Sequence, residues 1–312
     1  MLDEVKRRRK TIAIILNPEA GRGRGRRIEK NLVEILRRRK IPFVLERTKS
    51  EGHATDLARE LRSSFDIIFA AGGDGTVNEV AAGLAGGRAA LAVLPIGSGN
   101  DFNREIGTSG NLDEALSGVF SGSVRYFDMG SITTHHASGV MHKKVFLNTV
   151  GIGLDAEIAR EAQRVRWLRG LPLYLFAVAK TLVKYQSNDY EIHSNGKKTS
   201  ACAFLLCGGN GSYEGGGFRL LPDARTDDQV LDWCMIKTAP ILNALHLIPR
   251  ILKGTHGNDP MVSMWRSRKI SIEAKRPFTI HADGEIVTDL ATKATIGLAK
   301  ERIRVVVPTK GC

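Results

Sequence analysis

The feature that most constrains the fold is a glycine-dense turn at residues 72–76, which reads Gly-Gly-Asp-Gly-Thr. It follows an apolar run at residues 65–71 and opens into an alanine-containing stretch at residues 77–82. The apolar run predicts a buried strand, and the stretch after the turn predicts a helix. Backbone N–H groups and the helix dipole at such a turn favour an anion, and glycine lets a phosphate approach the main chain. We therefore expect a nucleotide phosphate here, although tight turns also take glycine for purely steric reasons.

Two more turns of this kind flank the first one along the chain. One follows a β-branched strand at residues 11–16, and the other, at residues 95–102, follows a strand at residues 90–94. Predicted helices lie between the strands, with Leu32 and Leu36 on one face of the first. Alternating strands and helices predict a parallel sheet covered on both faces, with the ligand at the carboxyl ends of the strands. All three turns fall at that edge.

The second half of the chain changes character. From Gly130 onward, short β-rich runs separated by turn residues predict an antiparallel sandwich. A helical segment at residues 156–186, broken near Pro172, interrupts these runs. Its basic residues beside apolar ones suit a surface that docks on lipid headgroups, or a helix packed on the sandwich with its arginines in solvent. The residues concerned are Arg160, Arg164, Arg166, Arg169, Leu171, Leu173, Tyr174, Leu175 and Phe176.

Composition and charge narrow the class of protein. A chain of 312 residues is long enough for two domains, and residues 1–50 hold sixteen Lys and Arg against six Asp and Glu. That basic end attracts nucleic acid, an anionic membrane or nucleotide phosphates, or is simply a solvated face. The apolar stretch at residues 171–183 is too short to span a bilayer, and the basic run at residues 6–10 does not open a secretion signal. The cysteines, Cys202, Cys207, Cys234 and Cys312, indicate reduced thiols in a cytoplasmic protein.

The three turns together resemble the diacylglycerol kinase catalytic family, in particular its soluble bacterial lipid kinases. The motifs are Asn-Pro with Gly21, the Gly-Gly-Asp-Gly-Thr turn with Asn78 and Glu79, and residues 95–102, Pro-Ile-Gly-Ser-Gly-Asn-Asp-Phe. NAD kinases share the middle motif, and the flanking motifs favour lipid kinases. The resemblance implies an α/β plus β fold. A three-layer α/β domain with an NAD kinase/phosphofructokinase-like parallel sheet, residues 1–130 plus about 300–312, would precede an antiparallel β-sandwich domain, residues 131–299.

The resemblance also implies where ATP binds. ATP would be held by the first turn, by a threonine after the second strand, by the glycine loop and by Ser98. Ser98 stands where the family usually has Thr. The residues carried over are Asn17, Pro18, Glu19, Ala20, Gly21, Thr48, Gly73, Asp74, Gly75, Thr76, Val77, Asn78, Glu79 and Ser98.

Acidic residues would supply the chemistry. Phosphoryl transfer to an alcohol needs a carboxylate that accepts the hydroxyl proton, and the Asp-Gly-Glu motif offers Asp283 and Glu285 without deciding between them. Taken alone, an Asp-Gly pair also indicates a hairpin turn. The family's acidic cluster corresponds to Asp74, Asp101, Asp128 and Asp283, which would organise catalytic magnesium.

A second magnesium site is implied within residues 221–230. By position, Asp228 would bind through its side chain, and Arg225 and Val230 through their carbonyl oxygens. Gln229 stands where the family usually has glycine, so an acidic turn without metal is the alternative.

We therefore predict an ATP- and Mg²⁺-dependent lipid kinase that is cytoplasmic and peripherally associated with the membrane. It would transfer the γ-phosphate to a hydroxyl of diacylglycerol or a related lipid at an anionic membrane surface. Phosphatidylglycerol, ceramide and sphingoid bases stay open as acceptors, and a homodimer stays open as the oligomeric state. The alternatives are an NAD kinase and a non-catalytic basic lipid- or nucleic-acid-binding protein. No nucleic-acid partner is expected, because a polyanion binder gains nothing from four carboxylates in its cleft.

Overall fold

The computed structural model describes residues 11–165 and 167–309. The basic run at residues 6–10, together with Arg166 and Cys312, therefore lies outside the described residues.

The chain forms two groups of elements. The first group contains β1 (Ile12–Leu16), α1 (Ala20–Arg38), β2 (Phe43–Arg47), α2 (His53–Leu61), β3 (Ile67–Gly72), α3 (Asp74–Leu84), β4 (Ala90–Pro95), α4 (Asp101–Ile106), α5 (Leu112–Ser121) and β5 (Ser123–Phe127). The second contains β6 (Gly130–His136), β7 (Met141–Phe146), β8 (Thr149–Gly153), α6 (Leu154–Arg164), α7 (Gly170–Leu182), β9 (Asn188–Ser194), β10 (Lys197–Gly209), β11 (Leu231–Lys237), α8 (Ile241–Lys253), β12 (Val262–Ser267), β13 (Lys269–Ala282) and β14 (Glu285–Leu298). The last strand, β15 (Ile303–Val307), returns to the first group.

The first sheet has six strands in the order β2-β1-β3-β4-β15-β5. Five of them are parallel, and β15 comes back from the end of the chain to pair with β4. The sixth strand, β5, runs antiparallel to β15. The parallel α/β sheet predicted from the sequence is confirmed, with one antiparallel edge strand that the pattern did not reveal.

Helices cover both faces of this sheet. Because side chains alternate along a strand, Ile12 and Ile14 face one core while Ala13 and Ile15 face the other. The first core includes α1 and α5, and the second includes α2 and α3. These apolar layers hold the strand ends, and hence the turns that follow them, in fixed positions.

The start of α1 departs from helical geometry. Gly21, Arg22 and Gly23 all have positive φ, at 59°, 61° and 79°. Glycine adopts this left-handed region readily, whereas a non-glycine residue there is uncommon. The regular helix follows, and Leu32 and Leu36 are fully buried as its spacing predicted.

The second sheet is antiparallel, in the order β12-β11-β10-β8-β13-β14-β6-β7. The long strands β10 and β13 each pair with β8 near one end and with β9 near the other. The sheet thereby folds over on itself around a buried core that includes Tyr190, Trp233 and Phe278. This is the antiparallel sandwich that the sequence predicted.

Three helices pack on the outside of the sandwich. Apolar residues of α6, α7 and α8 form a third core with β10 and β11. The sequence analysis missed α8, although Ala244, Leu247 and Ile251 recur at helical spacing. Within the part of the chain that the structure describes, no helix has the length and apolarity needed to cross a membrane.

Candidate active site

The structure brings the three glycine turns together at the carboxyl edge of the first sheet. A Cβ at Gly21 would collide with the carbonyl oxygen of Ile96, and one at Gly73 would lie 3.3 Å from the Cα of Gly97. Side chains at these positions would push the turns apart. Asn17 Nδ2 also donates to Thr76 Oγ1 at 3.1 Å, which ties the first turn to the second. The edge is therefore a single surface built from three separate segments.

Asp74 is the first residue of α3 and is half-buried at this edge. Its carboxylate accepts a long hydrogen bond from Phe102 N at 3.4 Å and also faces the Asn100 N–H. Burial, with the nearby charges of Asp101 and Asp283, raises the pKa of Asp74 to about 7. A carboxyl group whose ionised form is disfavoured in this way is suited to binding a cation or exchanging a proton.

Asp101 begins α4 and lies beside Asp74, only 8% exposed. Gly216 N donates to both of its carboxylate oxygens, at 3.1 and 3.0 Å, and Arg104 Nη1 lies 2.7 Å from Oδ1. Burial raises the pKa of Asp101, while the Gly216 N–H and Arg104 oppose that rise. A backbone N–H from the second half of the chain, that of Gly216, thus holds the Asp101 carboxylate.

Asp283 joins this acidic pair from the sandwich. It stands with Gly284 in the two-residue turn between β13 and β14, with φ values of 48° and 81°. Two positive φ values are the signature of the hairpin turn that favours Asp-Gly, so the hairpin expected of that pair is present. The hairpin does not exclude a catalytic role, because it aims the Asp283 side chain at the first sheet.

Four neutral donors surround the Asp283 carboxylate. Its Oδ1 accepts from Asn148 N and Thr149 N, both at 2.9 Å. Its Oδ2 accepts from Leu147 N at 2.8 Å and from Asn78 Nδ2 at 2.6 Å. Burial raises the pKa of Asp283, and the three main-chain N–H groups oppose that rise. Asn78, on α3, is the one side-chain donor of the four, and its buried amide also donates to Val145 O at 3.2 Å.

Glu285 points elsewhere. Its Oε2 pairs with Lys144 Nζ at 2.5 Å, and its Oε1 lies so close to Gly75 that a Cβ there would collide with it. Asp283 and Glu285 thus contact different sides of the first turn of α3.

The other residues predicted to bind nucleotide divide into two groups. Thr48 N donates to Leu16 O at 2.9 Å, which places Thr48 at the same sheet edge. Glu79 instead accepts from Gly52 N and Ala54 N, at 3.0 and 3.1 Å, and so caps the start of α2. The remaining positions lie along the three turns and the first turns of α1 and α3: Pro18, Glu19, Ala20, Gly21, Gly73, Gly75, Thr76, Val77 and Ser98.

Asp128 does not join the acidic cluster. Its carboxylate pairs with Arg302 Nε at 2.7 Å and accepts from Gln229 N at 2.6 Å. The physical reason is strand direction. Asp128 follows β5, and because β5 is antiparallel its carboxyl end lies at the opposite edge of the sheet from the glycine turns.

The acidic turn predicted to bind a second magnesium lies near Asp128. Asp228 Oδ2 pairs with Arg266, and Asp228 Oδ1 accepts from Val230 N at 3.3 Å. A guanidinium already supplies the positive charge there, so the donors as arranged do not fit a magnesium ion. Gln229 has φ of 60°, the left-handed conformation that glycine adopts most easily. The ligand set of Arg225, Asp228 and Val230 stays a prediction.

An apolar cavity of about 1150 Å³, part of it open to solvent, opens beside the acidic cluster. Asp74, Asp101 and Asp283 stand at its polar end. Its walls come from α6, α7, α8 and the strands beneath them, and they include Ile158, Val178, Leu182, Phe204, Leu247 and Ile251. An elongated apolar ligand would therefore reach the carboxylates with its polar end.

Sequence reasoning missed a buried polar group at this end of the cavity. Asp155 and Glu214 line the cavity, and His281 Nε2 lies 2.9 Å from Glu214 Oε1 and 3.4 Å from Asp155 Oδ2. Burial and the charge of Asp155 raise the pKa of Glu214. Asp155 had a readable signal, since it lies in the first turn of α6 directly after the glycine-containing end of β8, much as Asp74 opens α3 after Gly72 and Gly73.

Comparison with known proteins agrees with this geometry. The model of the diacylglycerol kinase catalytic domain matches residues 11–132. The model of the YegS C-terminal NAD kinase beta sandwich-like domain matches residues 148–307.

Individual relatives extend over nearly the whole chain. A diacylglycerol kinase of Bacillus subtilis (strain 168) is 28% identical over 284 residues, covering 88% of this chain and 90% of its own length. One from Mycobacterium tuberculosis (strain H37Rv) is 27% identical over 304 residues, 96% of each chain. The crystal structure of a putative diacylglycerol kinase from Bacillus anthracis str. Sterne, 28% identical, superposes with a TM-score of 0.75 over 96% of this chain and 97% of that one.

Yeast NADH kinase complexed with NADH shares the fold alone, at 8% identity and a TM-score of 0.54 over 97% of this chain and 85% of that one. The chain itself belongs to the diacylglycerol kinase catalytic family and is an enzyme of the lipid-kinase class.

Proposed function

We propose that this enzyme transfers the γ-phosphoryl group of ATP to a hydroxyl of diacylglycerol or a related lipid at an anionic membrane surface. One observation carries the proposal: the apolar cavity ends at Asp74, Asp101 and Asp283, on the edge where the glycine turns meet. A lipid chain in the cavity and a triphosphate on the turns would meet at these carboxylates.

ATP would lie along the carboxyl edge of the first sheet. The amino end of α3, preceded by Gly73, offers main-chain N–H groups, and the crowded turns at Gly21 and Gly97 keep side chains out of their way. We assign the nucleotide to residues 1–130 plus about 300–312 and the lipid to residues 131–299. The pairing of β15 with β4 supports that division.

Magnesium fits the acidic edge by charge. Asp74 and Asp101 lie close enough for the charge on Asp101 to raise the pKa of Asp74, and a cation would offset that repulsion. These two residues would hold it. When bound, the ion would offset negative charge on the phosphates during transfer.

Asp283 is the base that the geometry favours over Glu285. Asp283 lines the cavity, whereas Glu285 is paired with Lys144. The acceptor hydroxyl would donate to Asp283 Oδ2 beside the Asn78 amide and pass its proton to that oxygen, as its own oxygen attacks the γ-phosphorus and ADP leaves. Asp283→Asn is then expected to lower kcat far more than Glu285→Gln, measured with saturating lipid and ATP.

The membrane would be met through α7 and the connection before it. Trp167 is 72% exposed and stacks edge-on against Phe176, and Leu175 and Val183 are also exposed. Arg164 lies at the end of α6, and Lys180 lies on α7. Not every predicted contact points outward: Leu173 is buried, Tyr174 lines the cavity, and Arg160 pairs with Asp289. An aromatic and basic surface at the cavity suits peripheral binding to anionic lipid.

The test is transfer of labelled phosphate from ATP to a panel of lipids in anionic mixed micelles, with magnesium and with it removed. Diacylglycerol, phosphatidylglycerol, ceramide and a sphingoid base form the panel, and NAD is the soluble comparison. We expect label in a lipid only with magnesium. Label in NAD and in none of the lipids would overturn the proposal.

A further inference from the structure

His281 stands directly behind the turn that carries Asp283. It is fully buried at the end of β13, opposite Gly151 of β8. A Cβ at Gly151 would collide with His281 Nε2 and with the carboxylate of Asp155. Only a glycine therefore leaves room for an imidazole and a carboxylate side by side at this position.

The imidazole contacts both the turn and the cavity wall. Gly284 N donates to Nδ1 at 3.2 Å, and Nε2 faces Glu214 Oε1 at 2.9 Å. The hydrogen bond from Gly284 N requires an unprotonated Nδ1, so the ring proton lies on Nε2 and points at Glu214, with Asp155 at 3.4 Å. Burial favours this uncharged ring, and the two carboxylates oppose it by raising the pKa of His281 to about 10. Glu214 thereby orients the ring, in the way that a carboxylate orients the histidine ligand of a metal.

The turn needs such support because its conformation is uncommon. Asp283 has a φ of 48°, and the two residues of the turn project beyond the last pair of β13 and β14, Ala282 with Glu285. Two other hydrogen bonds reach the backbone of the turn, from Asp283 N to Thr149 O and from Gln163 Nε2 to Gly284 O, both at 2.9 Å. Main-chain donors at Leu147, Asn148 and Thr149 hold the Asp283 carboxylate from the front. The His281 ring holds the backbone of the same turn from behind.

We propose that His281, oriented by Glu214 and Asp155, is a positioning residue that fixes the Asp283–Gly284 turn for phosphoryl transfer. This inference rests on the proposed function, in which Asp283 receives the proton. It assigns a role to three buried side chains that the proposed function leaves without one.

The test compares His281→Gln with His281→Asn. Asparagine places an oxygen near the position of Nδ1 and retains an acceptor for Gly284 N, whereas glutamine reaches the position of Nε2 and does not. A shift of an ångström in a reacting group costs about a hundredfold in rate, so we expect kcat to fall roughly 10- to 100-fold in His281→Gln. The KM for lipid and for ATP should stay within about threefold, since binding surfaces are untouched. His281→Asn should recover most of kcat.

His256→Gln is the matched control. His256 is equally buried, but its Nε2 faces Leu220 O at 3.2 Å and Cys234 Sγ at 3.8 Å, away from the turn. The His256→Gln variant should be less stable than wild type, with little change in kcat. Equal kcat values for His281→Gln, His281→Asn and wild type would overturn the inference, provided that wild type phosphorylates lipid. A wild type without lipid phosphorylation would instead overturn the proposed function.

A measurement on the wild type covers the case in which His281→Gln does not fold. The Gly284 amide is half-exposed in a turn, yet it should exchange with solvent deuterium at least about tenfold more slowly than an open turn amide, because it is hydrogen-bonded to Nδ1. Exchange at the rate of an unprotected amide would contradict the proposed role.

Discussion

Two groups of aspartates lie at opposite edges of the first sheet, and their partners differ. In the cleft, Asp283 is surrounded by four neutral donors and Asp74 faces main-chain N–H groups, while Asp101 pairs with Arg104. At the far edge, Asp128 pairs with Arg302 and Asp228 pairs with Arg266. Carboxylates matched by arginines have their charge offset within the fold, whereas those held by neutral groups keep the capacity to take a cation or a proton. The kind of partner therefore sets Asp74 and Asp283 apart from Asp128 and Asp228, whereas Asp101 pairs with an arginine and still lies in the cleft.

The largest effect expected from this contrast is at Asp74. Asp74→Asn should lower phosphate transfer to lipid by roughly a thousandfold or more, since metal-assisted charge stabilisation is worth several kcal/mol. The fold should remain intact, which circular dichroism would show. Undiminished ATP consumption in the presence of lipid would remove Asp74 from the catalytic group.

The same substitution should change stability with a defined sign. The pKa of Asp74 is raised from 3.8 to about 7, so the folded state binds the proton more tightly than the unfolded chain. Wild-type stability contributed by this group therefore falls as pH rises from about 4 to 7 and stays low above that. Asp74→Asn should be more stable than wild type at pH 8, by about 1–4 kcal/mol, because one pKa unit corresponds to about 1.4 kcal/mol. The difference should vanish at pH 4. Urea unfolding at both pH values would check it, and a variant less stable at pH 8 would contradict it.

At the far edge the sign should reverse. Asp128→Asn removes one partner of a buried ion pair and should destabilise the fold by about 2 kcal/mol at pH 8. Its kcat should remain within about tenfold of wild type, because the carboxylate lies away from the cavity. Loss of activity at unchanged stability would return Asp128 to the acidic cluster predicted from the sequence.

The smallest effect is expected at Arg266. Its guanidinium is half-exposed, so Arg266→Gln should cost about 1 kcal/mol at most. Thermal unfolding of the wild type should be unaffected by a chelator, since Arg266 supplies the positive charge beside Asp228. Arg268→Gln, at an exposed neighbouring position, is the control. A fall in wild-type Tm on adding the chelator would instead favour the magnesium site.

The sequence predicted the fold well because its signals are local. Strand-helix alternation placed the three glycine turns at one edge, and the structure has them in contact there. The position of Asp128 was not predictable, since nothing in residues 123–127 reveals that β5 runs antiparallel. The group around His281 was also hidden, because it forms only when β8, β13 and the segment at Glu214 meet. The helices and strands could thus be predicted from the sequence, whereas the contacts between distant segments could not.

Because β15 returns to the first sheet, that sheet cannot be completed until nearly the whole chain has been synthesised. β15 lies between β4 and β5 in the sheet, so β5 cannot join the sheet until β15 has been made. About half the chain must therefore emerge from the ribosome between the synthesis of β5 and that of β15. Until then the nascent first sheet exposes the unpaired side of β4, a site for misassociation with other chains. We expect chains halted before residue 303 to be captured by chaperones or to aggregate, and the full chain to refold slowly, as its long-range pairing implies.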